Sequence, residues 1–154
     1  PLPYKLDKAK EIGATHTAAS LFDAQMMLPE LTMGRNADVV ILTPGVLKGA
    51  MIAEAAACGS KDARIVVTAI SPFSAMDVQL NLFNLAMFNQ SVLGTVFGSQ
   101  SPRVQVPNLL NLYEAGQLQI DELITQEYTL DQVQQGYDDQ AAGTIIRGVV
   151  AFDN

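Results

Sequence analysis

The sequence predicts an α/β protein built on a parallel sheet, and two observations support this fold class. First, Asp38–Leu42 and Arg64–Ile70 are runs dominated by aliphatic side chains, and Ser91–Phe97 is predicted to be a third strand. Such runs are typical of parallel strands, which are covered on both faces. Second, stretches of helical character lie between the runs, so that strand and helix alternate about every 25 residues. We therefore expect parallel strands joined by right-handed helical crossovers.

The first part of the chain contains short elements. Lys5–Ile12 is a charged helix, and Ala14–Ala18 is short and could form a strand. Ser20 is a suitable N-cap, because its hydroxyl can accept a hydrogen bond from the first helical turn. The helix that begins there is expected to run to about Leu28, where Pro29 disturbs it.

The helices between the long strands have recognisable ends. Val46–Cys58 is rich in alanine and is followed by Gly59, a residue typical of helix C-caps. Asn81–Phe88 is a short helix or a partly helical connection, and Pro102–Ala115 is an amphipathic helix closed by Gly116. These helices are the expected crossovers of the parallel sheet.

The last part of the chain departs from this alternation. Leu123–Tyr128 is predicted to be a lone strand, Leu130–Gln140 a helix and Thr144–Phe152 a final strand. No repeat, low-complexity tract or clear linker separates these elements from the preceding ones.

Composition excludes several classes of protein. The net charge is −7 and the sequence has no cluster of Lys and Arg, which argues against nucleic acid or an acidic membrane surface as a partner. No apolar run approaches the roughly 18–20 residues of a membrane-spanning helix. A single cysteine, Cys58, allows no internal disulfide and fits a reducing cytoplasm. Cys58 is expected to be a buried hydrophobic residue and the single histidine, His16, a solvated loop residue, so this chain supplies no metal site.

Three stretches carry a family resemblance. They are Lys8–Thr15, Gly94–Ser99 and Leu118–Val150, and the last includes the motifs Leu130–Tyr137 and Gly143–Gly148. In this order and spacing they resemble the C-terminal part of the medium-chain, zinc-type alcohol dehydrogenases, and the tail is most similar to their class III-like, actinobacterial-type branch. The resemblance covers essentially the whole chain.

The resemblance implies a partial Rossmann-type parallel sheet with helices on both faces, lacking its first strands. Residues 1–116 correspond to the later portion of the cofactor-binding domain, and residues 117–154 to a return segment that packs on the catalytic domain. In the family, the glycine-rich phosphate turn, the acidic residue that binds the ribose and the zinc ligands all precede the part that this chain resembles. No catalytic and no metal-binding residue is therefore assigned to this chain. The chain also begins without methionine, so processing, truncation and a missing front segment are all open.

Residues that follow the predicted strands are the candidate cofactor site, because strand ends in an open α/β sheet face the ligand crevice. In the resembling family these positions line the nicotinamide half of the cofactor, and backbone groups at three of them bind the carboxamide and orient the ring. Those three positions are Thr68, Thr95 and Phe97. Ordinary packing at strand ends is the alternative. The full set of candidates is Thr43, Pro44, Gly45, Thr68, Ala69, Ile70, Thr95, Val96 and Phe97.

Two basic residues complete the candidate site. Arg147 lies on an otherwise apolar strand, and the family places an arginine here on the cofactor pyrophosphate, which a guanidinium can bind in a bidentate way. Lys5 corresponds to a lysine that the family places near the adenosine ribose. The alternatives are a surface salt bridge for Arg147 and a solvated first-turn lysine for Lys5. The adjacent carboxylates Asp121 and Glu122 are expected to be solvated charges rather than a catalytic pair.

The third strand is the expected subunit interface. In the resembling family the corresponding edge pairs with its two-fold mate, and an apolar edge strand left bare invites such pairing. We therefore expect a homodimer through Val92–Phe97, with an edge covered by its own loop as the alternative. Without the family's first strand, the opposite edge at Val39–Leu42 is expected to be unpaired and the chain not to be self-sufficient.

Three hypotheses for function follow. The first is a fragment of an NAD-dependent alcohol dehydrogenase. The parent enzyme would transfer hydride between a small alcohol or aldehyde and the nicotinamide dinucleotide, with catalytic zinc. NADP is not excluded as the cofactor, and this chain alone is expected to be inactive. The second is a non-catalytic nucleotide-binding or dimerisation module. The third is a zinc-free relative such as a quinone reductase, against which the class III-like tail argues.

Overall fold

The computed structural model describes residues 2–152. It confirms an α/β fold with parallel strands and helices. The helices are α1 (Pro3–Glu11), α2 (Leu21–Leu31), α3 (Gly49–Cys58), α4 (Leu82–Met87), α5 (Pro102–Glu114) and α6 (Val133–Ala142). The strands are β1 (Ala37–Leu42), β2 (Gly59–Val67), β3 (Ser91–Gly94), β4 (Ile124–Tyr128) and β5 (Arg147–Val150).

The chain forms two compact units. The sheet unit contains Ala18–Gln100 and holds the parallel sheet β1–β2–β3, with β2 in the centre. The terminal unit combines residues 2–17 with residues 101–152, and it holds a second parallel sheet, β4–β5. The expected boundary between the cofactor-binding domain, which ends at residue 116, and the return segment that follows it stays a prediction.

The core of the sheet unit lies between α3 and one face of the sheet. Its buried residues are Leu42, Leu47, Ile52, Ala55 and Ile65. Burial of these side chains is the main favourable term that holds α3 on the strands.

The expected coverage of the first long strand on both faces is wrong for the described residues. Leu42 is buried, whereas Val39 and Ile41, which point to the opposite face, are 40% and 59% exposed. The side chains of this run are apolar on both faces of the strand, but only the face that carries Leu42 is packed. As expected, β1 is an edge strand of its sheet.

Two early elements differ from the sequence prediction. Ala14–Ala18 forms no strand, because no strand among residues 2–152 pairs with it. Ser20 does cap α2, since its Oγ accepts a hydrogen bond from the amide of Asp23 at 3.0 Å. However, α2 continues through Pro29 to Leu31. A proline near the end of a helix removes one intrahelical donor, and the following turn of α2 still forms, with Thr32 N donating to Leu28 O at 3.0 Å.

The helix α3 begins and ends differently from the prediction. It starts at Gly49 rather than Val46, because Lys48 is in an extended conformation at the N-cap. Gly59 ends the helix, but with φ −78° and ψ 145° it is the extended first residue of β2 and not a left-handed cap. Glycine is needed there for close packing, since a Cβ would lie 2.9 Å from the Cβ of Ala63 and 3.0 Å from Nε2 of Gln90. The buried Gln90 amide donates to the carbonyls of residues 56, 59 and 60, which ties the start of β3 to the end of α3.

Two predicted strands end earlier than expected. β2 stops at Val67, whose partner Leu42 is the last residue of β1. β3 stops at Gly94 rather than Phe97, because Gly94 pairs with Val67, the last residue of β2. Three residues later, Phe97 has φ 47° and begins a 3-10 turn. A left-handed φ cannot continue an extended strand.

The last three elements form one βαβ arrangement. β4 is not a lone strand, since it pairs in parallel with β5 through the crossover helix α6. The paired part of the final strand is Arg147–Val150, shorter than the predicted Thr144–Phe152. Tyr128 on β4 is 6% exposed, and its ring lies so close to Gly148 that a Cβ there would be 2.7 Å from Cε2. Its hydroxyl donates to Oδ2 of Asp139 on α6 at 2.7 Å, which fastens the helix to the strand.

Candidate functional site

Three loops emerge together at the carboxyl edge of the sheet unit. Because β1, β2 and β3 are parallel, the residues that follow them leave the sheet on the same side. Backbone hydrogen bonds hold the loops to their neighbours: the amide of Thr68 donates to Leu42 O at 3.2 Å, and that of Thr95 donates to Val67 O at 3.0 Å. The structure thus brings the strand-end candidates to one edge.

Several backbone groups at this edge, including those of Ala69 and Ile70, form no hydrogen bond within residues 2–152. The carbonyl oxygens of Thr68 and Thr95 and the amide of Phe97 are among them. Two acceptors and one donor are the complement of a primary carboxamide, whose NH₂ donates and whose oxygen accepts. The donor and acceptor character of these three groups matches that of a primary carboxamide.

Apolar side chains surround these polar groups. Ile70, Val96 and Phe97 are 82%, 69% and 94% exposed, whereas Ala69 packs against the core and fixes the loop from below. Exposed apolar side chains next to free backbone groups are the usual composition of a small-molecule site. Ile70, Val96 and Phe97 can press on a planar ring without offering it competing polar contacts.

The loop after β1 is the most open part of the edge. Thr43 and Gly45 are exposed and Pro44 is half-buried, while the buried Leu47 anchors the chain just before α3. A Cβ on Gly45 would meet no atom within 4 Å, so this loop leaves space beside the strand ends.

Lys5 and Arg147 both belong to the terminal unit. The Lys5 ammonium would lie 3.7 Å from a Cβ on Gly143, the left-handed residue that ends α6. Arg147 is the first residue of β5 and lines a cavity of about 410 Å³ together with Tyr128 and Gly136. Among the described residues, Arg147 forms no salt bridge, so its guanidinium is available to an anion.

Two residues of the edge escaped the sequence analysis. Ser71 donates from Oγ to Leu47 O at 2.8 Å, and the carboxylate of Asp77 accepts from the amide of Gly49 at 3.3 Å. Gly49 and Asp77 are 28 residues apart, so no local pattern could have indicated this pair.

The isolated candidate metal ligands do not assemble. Cys58 is a buried residue, as expected, with 2% exposure, and burial raises the pKa of its thiol. His16 is exposed in a loop, as expected. Within residues 2–152, no group of three or more His, Cys, Asp or Glu side chains is arranged to hold a metal ion, so these residues do not fit a zinc site. The part of the chain that the structure describes also has no helix with the length and hydrophobicity needed to cross a membrane.

Comparison with known sequences identifies relatives. Residues 1–115 match the family of zinc-binding dehydrogenases. The NDMA-dependent alcohol dehydrogenase of Amycolatopsis methanolica is 37% identical over 150 residues, which are 97% of this chain and 40% of that protein. Alcohol dehydrogenase B of Mycobacterium tuberculosis (strain CDC 1551 / Oshkosh) is 37% identical over 152 residues, 99% of this chain and 40% of that protein. The chain thus spans about 40% of the length of these relatives.

Solved structures show the same fold. Benzyl alcohol dehydrogenase from Acinetobacter calcoaceticus superimposes with a TM-score of 0.85 at 24% identity, over 99% of this chain and 41% of that protein. The extent of the family match and the fold agree with the resemblance found in the sequence, which is thereby confirmed. The chain belongs to the family of zinc-binding dehydrogenases.

Proposed function

We propose that this chain forms the nicotinamide side of the cofactor site of an NAD-dependent, zinc-type alcohol dehydrogenase. The whole protein would transfer hydride between a small alcohol or aldehyde and the nicotinamide dinucleotide. The observation that carries the proposal is the set of unpartnered backbone groups of Thr68, Thr95 and Phe97 at the carboxyl edge. Free polar groups at this edge face the crevice in which open α/β sheets bind their ligands.

The residues of this chain bind and orient the cofactor, and none of them reacts with the substrate. A bound nicotinamide ring supplies the atom that accepts or gives up the hydride. The carbonyls of Thr68 and Thr95 receive the carboxamide NH₂, and the amide of Phe97 donates to its oxygen. These contacts fix which face of the ring is open, while Ile70 and Val96 exclude water beside it. Orientation of this kind brings the reacting atoms to short range.

Two further candidates come from the family resemblance and concern the phosphate end of the cofactor. Arg147 binds the pyrophosphate through its guanidinium, and Lys5 lies near the adenosine ribose. Thr43, Pro44 and Gly45 line the space beside the strand ends, and Ala69 supports the loop that carries Ile70. Support comes from two proteins of the same fold whose structures contain NADH or NADP. A cytoplasmic location belongs to the proposal as well, since the chain has one cysteine and needs no oxidising compartment.

Binding of NADH to the chain tests the proposal, with calorimetry as the measurement. Ile70→Ala should weaken binding about tenfold, because it removes an apolar wall worth roughly 0.8 kcal/mol per buried CH₂. Met26→Ala, which truncates a side chain on α2 that is 66% exposed, is its control and should have no effect.

Arg147→Gln should weaken NADH binding by about tenfold to a hundredfold, the range for a hydrogen-bonded charge. Arg103→Gln, an exposed arginine on α5, is the matched control. A folded chain that does not bind NADH at millimolar concentration would overturn the proposal. NADPH titrated in parallel decides between the two dinucleotides.

A second candidate function rests on the edge strand β3. Val92 and Leu93 are 39% and 43% exposed on a strand with one neighbour, and such an edge can pair with a second copy of itself. On this hypothesis the chain is a dimerisation module through Val92–Phe97, with nucleotide binding weak or absent. Sedimentation equilibrium, together with NADH titration, distinguishes the cofactor-binding function from the dimerisation module. A stable dimer without NADH affinity favours the module. The Val92→Lys variant should then be monomeric.

A further inference from the structure

Two of the strand-end loops are fastened to each other. The clamped loop, residues 68–79, runs past the segment from Leu42 to Gly49. Thr68 Oγ1 donates to Leu42 O at 2.9 Å, and Ser71 Oγ donates to Leu47 O at 2.8 Å. Farther along, the carboxylate of Asp77 accepts from the amide of Gly49 at 3.3 Å. Side chains thus join the clamped loop to the other loop twice near its beginning, at Thr68 and Ser71, and once close to its end, at Asp77.

The contact at Gly49 is close enough to require glycine. A Cβ on this buried residue would overlap the backbone carbonyl of Asp77 and lie 2.8 Å from the amide of Val78. In addition, the amide of Gln79 lies 3.5 Å from the carbonyl of Gly49 and donates to it. Backbone atoms cannot be moved as cheaply as the end of a flexible side chain, so the two segments are held at a fixed separation.

Asp77 has an electrostatic reason to stay in place. Gly49 is the first residue of α3, and the N-cap Lys48 offers no side-chain cap. The first amides of a helix lack intrahelical partners and carry a partial positive charge, which a carboxylate stabilises. Asp77 therefore supplies from a distant segment the cap that the local sequence lacks. It also places an internal anion where a ligand phosphate could otherwise bind.

The clamped loop carries part of the proposed cofactor site. Thr68, with its free carbonyl, and the exposed Ile70 lie at its start, between the attachment to Leu42 and the one at Ser71. A loop that is free to move would have to be ordered when the ligand binds, and the cost of ordering lowers affinity. A loop that is already fixed avoids most of this cost.

We propose that Asp77 is a positioning residue for the nicotinamide end of the cofactor. By holding the clamped loop on the start of α3, it places the Thr68 carbonyl and the Ile70 side chain where the ring needs them. This inference rests on the proposed function, and Asp77 itself does not touch the ligand.

The test compares two ligands on the full chain. NADH contains the nicotinamide ring, whereas ADP-ribose carries the adenosine and phosphates without it. Both are titrated by calorimetry against the unsubstituted chain, Asp77→Ala and Asp77→Asn. The matched control is Asp23→Ala, which removes a carboxylate from the first turn of α2.

Asp77→Ala should lower NADH affinity by up to about tenfold, because binding must then order a loop that the lost hydrogen bond no longer holds. ADP-ribose affinity should change less than about twofold, because ADP-ribose lacks the nicotinamide ring. Asp77→Asn keeps an acceptor for the Gly49 amide and should recover most of the loss. Asp23→Ala should leave both affinities unchanged. If Asp77→Ala does not fold, Ser71→Ala removes the neighbouring attachment and should give the same selective loss in smaller measure.

The possible results are distinct. An equal loss for both ligands, or unchanged NADH affinity in the folded Asp77→Ala or Ser71→Ala chain, overturns this inference alone. No NADH binding by the unsubstituted chain overturns the proposed function and this inference with it.

Discussion

Ile65→Ala is the perturbation with the largest expected effect on stability. Ile65 lies in the central strand β2, is completely buried, and packs in the core beneath α3. The substitution removes buried apolar atoms and leaves a cavity that the surrounding backbone of three strands cannot close. The result should be a less stable but still folded sheet unit.

The expected cost is about 2–5 kcal/mol, the range for truncating a buried isoleucine to alanine. The free energy of unfolding of a natural domain is only about 5–15 kcal/mol, so this single substitution removes a large part of it. Ile41→Ala is the matched control on the neighbouring strand β1. Because Ile41 is 59% exposed, its truncation should cost about 1 kcal/mol or less.

Urea unfolding followed by circular dichroism gives both free energies of unfolding. The two variants should have similar dependence on urea concentration, and only Ile65→Ala should show a strongly lowered midpoint. Equal costs for the two variants would refute the reasoning, because they would mean that the face carrying Ile41 is packed as tightly as the core in solution.

Two further predictions concern titratable groups. Burial and the hydrogen bond to Asp139 raise the pKa of Tyr128 from the ordinary value of 10.0 to about 12, so the neutral phenol is favoured in the folded state. Its stabilisation is present below pH 10 and is lost as the pH rises towards 12; Tyr128→Phe should abolish this part of the pH dependence in urea unfolding, and an unchanged profile would contradict the assignment. Burial also raises the pKa of the Cys58 thiol, so a disulfide reagent at pH 8 should label the native chain far more slowly than the urea-unfolded chain, whereas equal rates would show that the thiol is accessible.

Local sequence patterns predicted most of the elements and the edge that carries the candidate site. Aliphatic runs separated by helical stretches predicted the parallel strands, and Ser20 predicted the start of α2. Once the strands were placed, the residues that follow them had to meet at one edge, because parallel strands end on the same side. The sequence alone therefore indicates that the loops with Thr68 and Thr95 lie at this edge.

Element ends were harder to predict, because they depend on partners. β3 ends at Gly94 because its partner β2 ends at Val67, and Phe97 then adopts a positive φ that its residue type does not indicate. β4 was predicted to be a lone strand, yet it pairs with β5, because a strand takes whichever backbone edge the crossover helix brings beside it. Neither outcome is encoded in the few residues around the strand.

By itself the sequence determined the α/β class, the order of all but one of the predicted helices and strands, and the family, because these depend mainly on residues that are neighbours along the chain. Only the tertiary structure decided which backbone groups at the carboxyl edge are left free and which side chains hold the loops that bear them. Asp77 reaches Gly49 across 28 residues, and Tyr128 reaches Asp139 across 11. Hydrogen bonds of this kind depend on the path of the chain in space, and the local pattern of residue types does not specify that path.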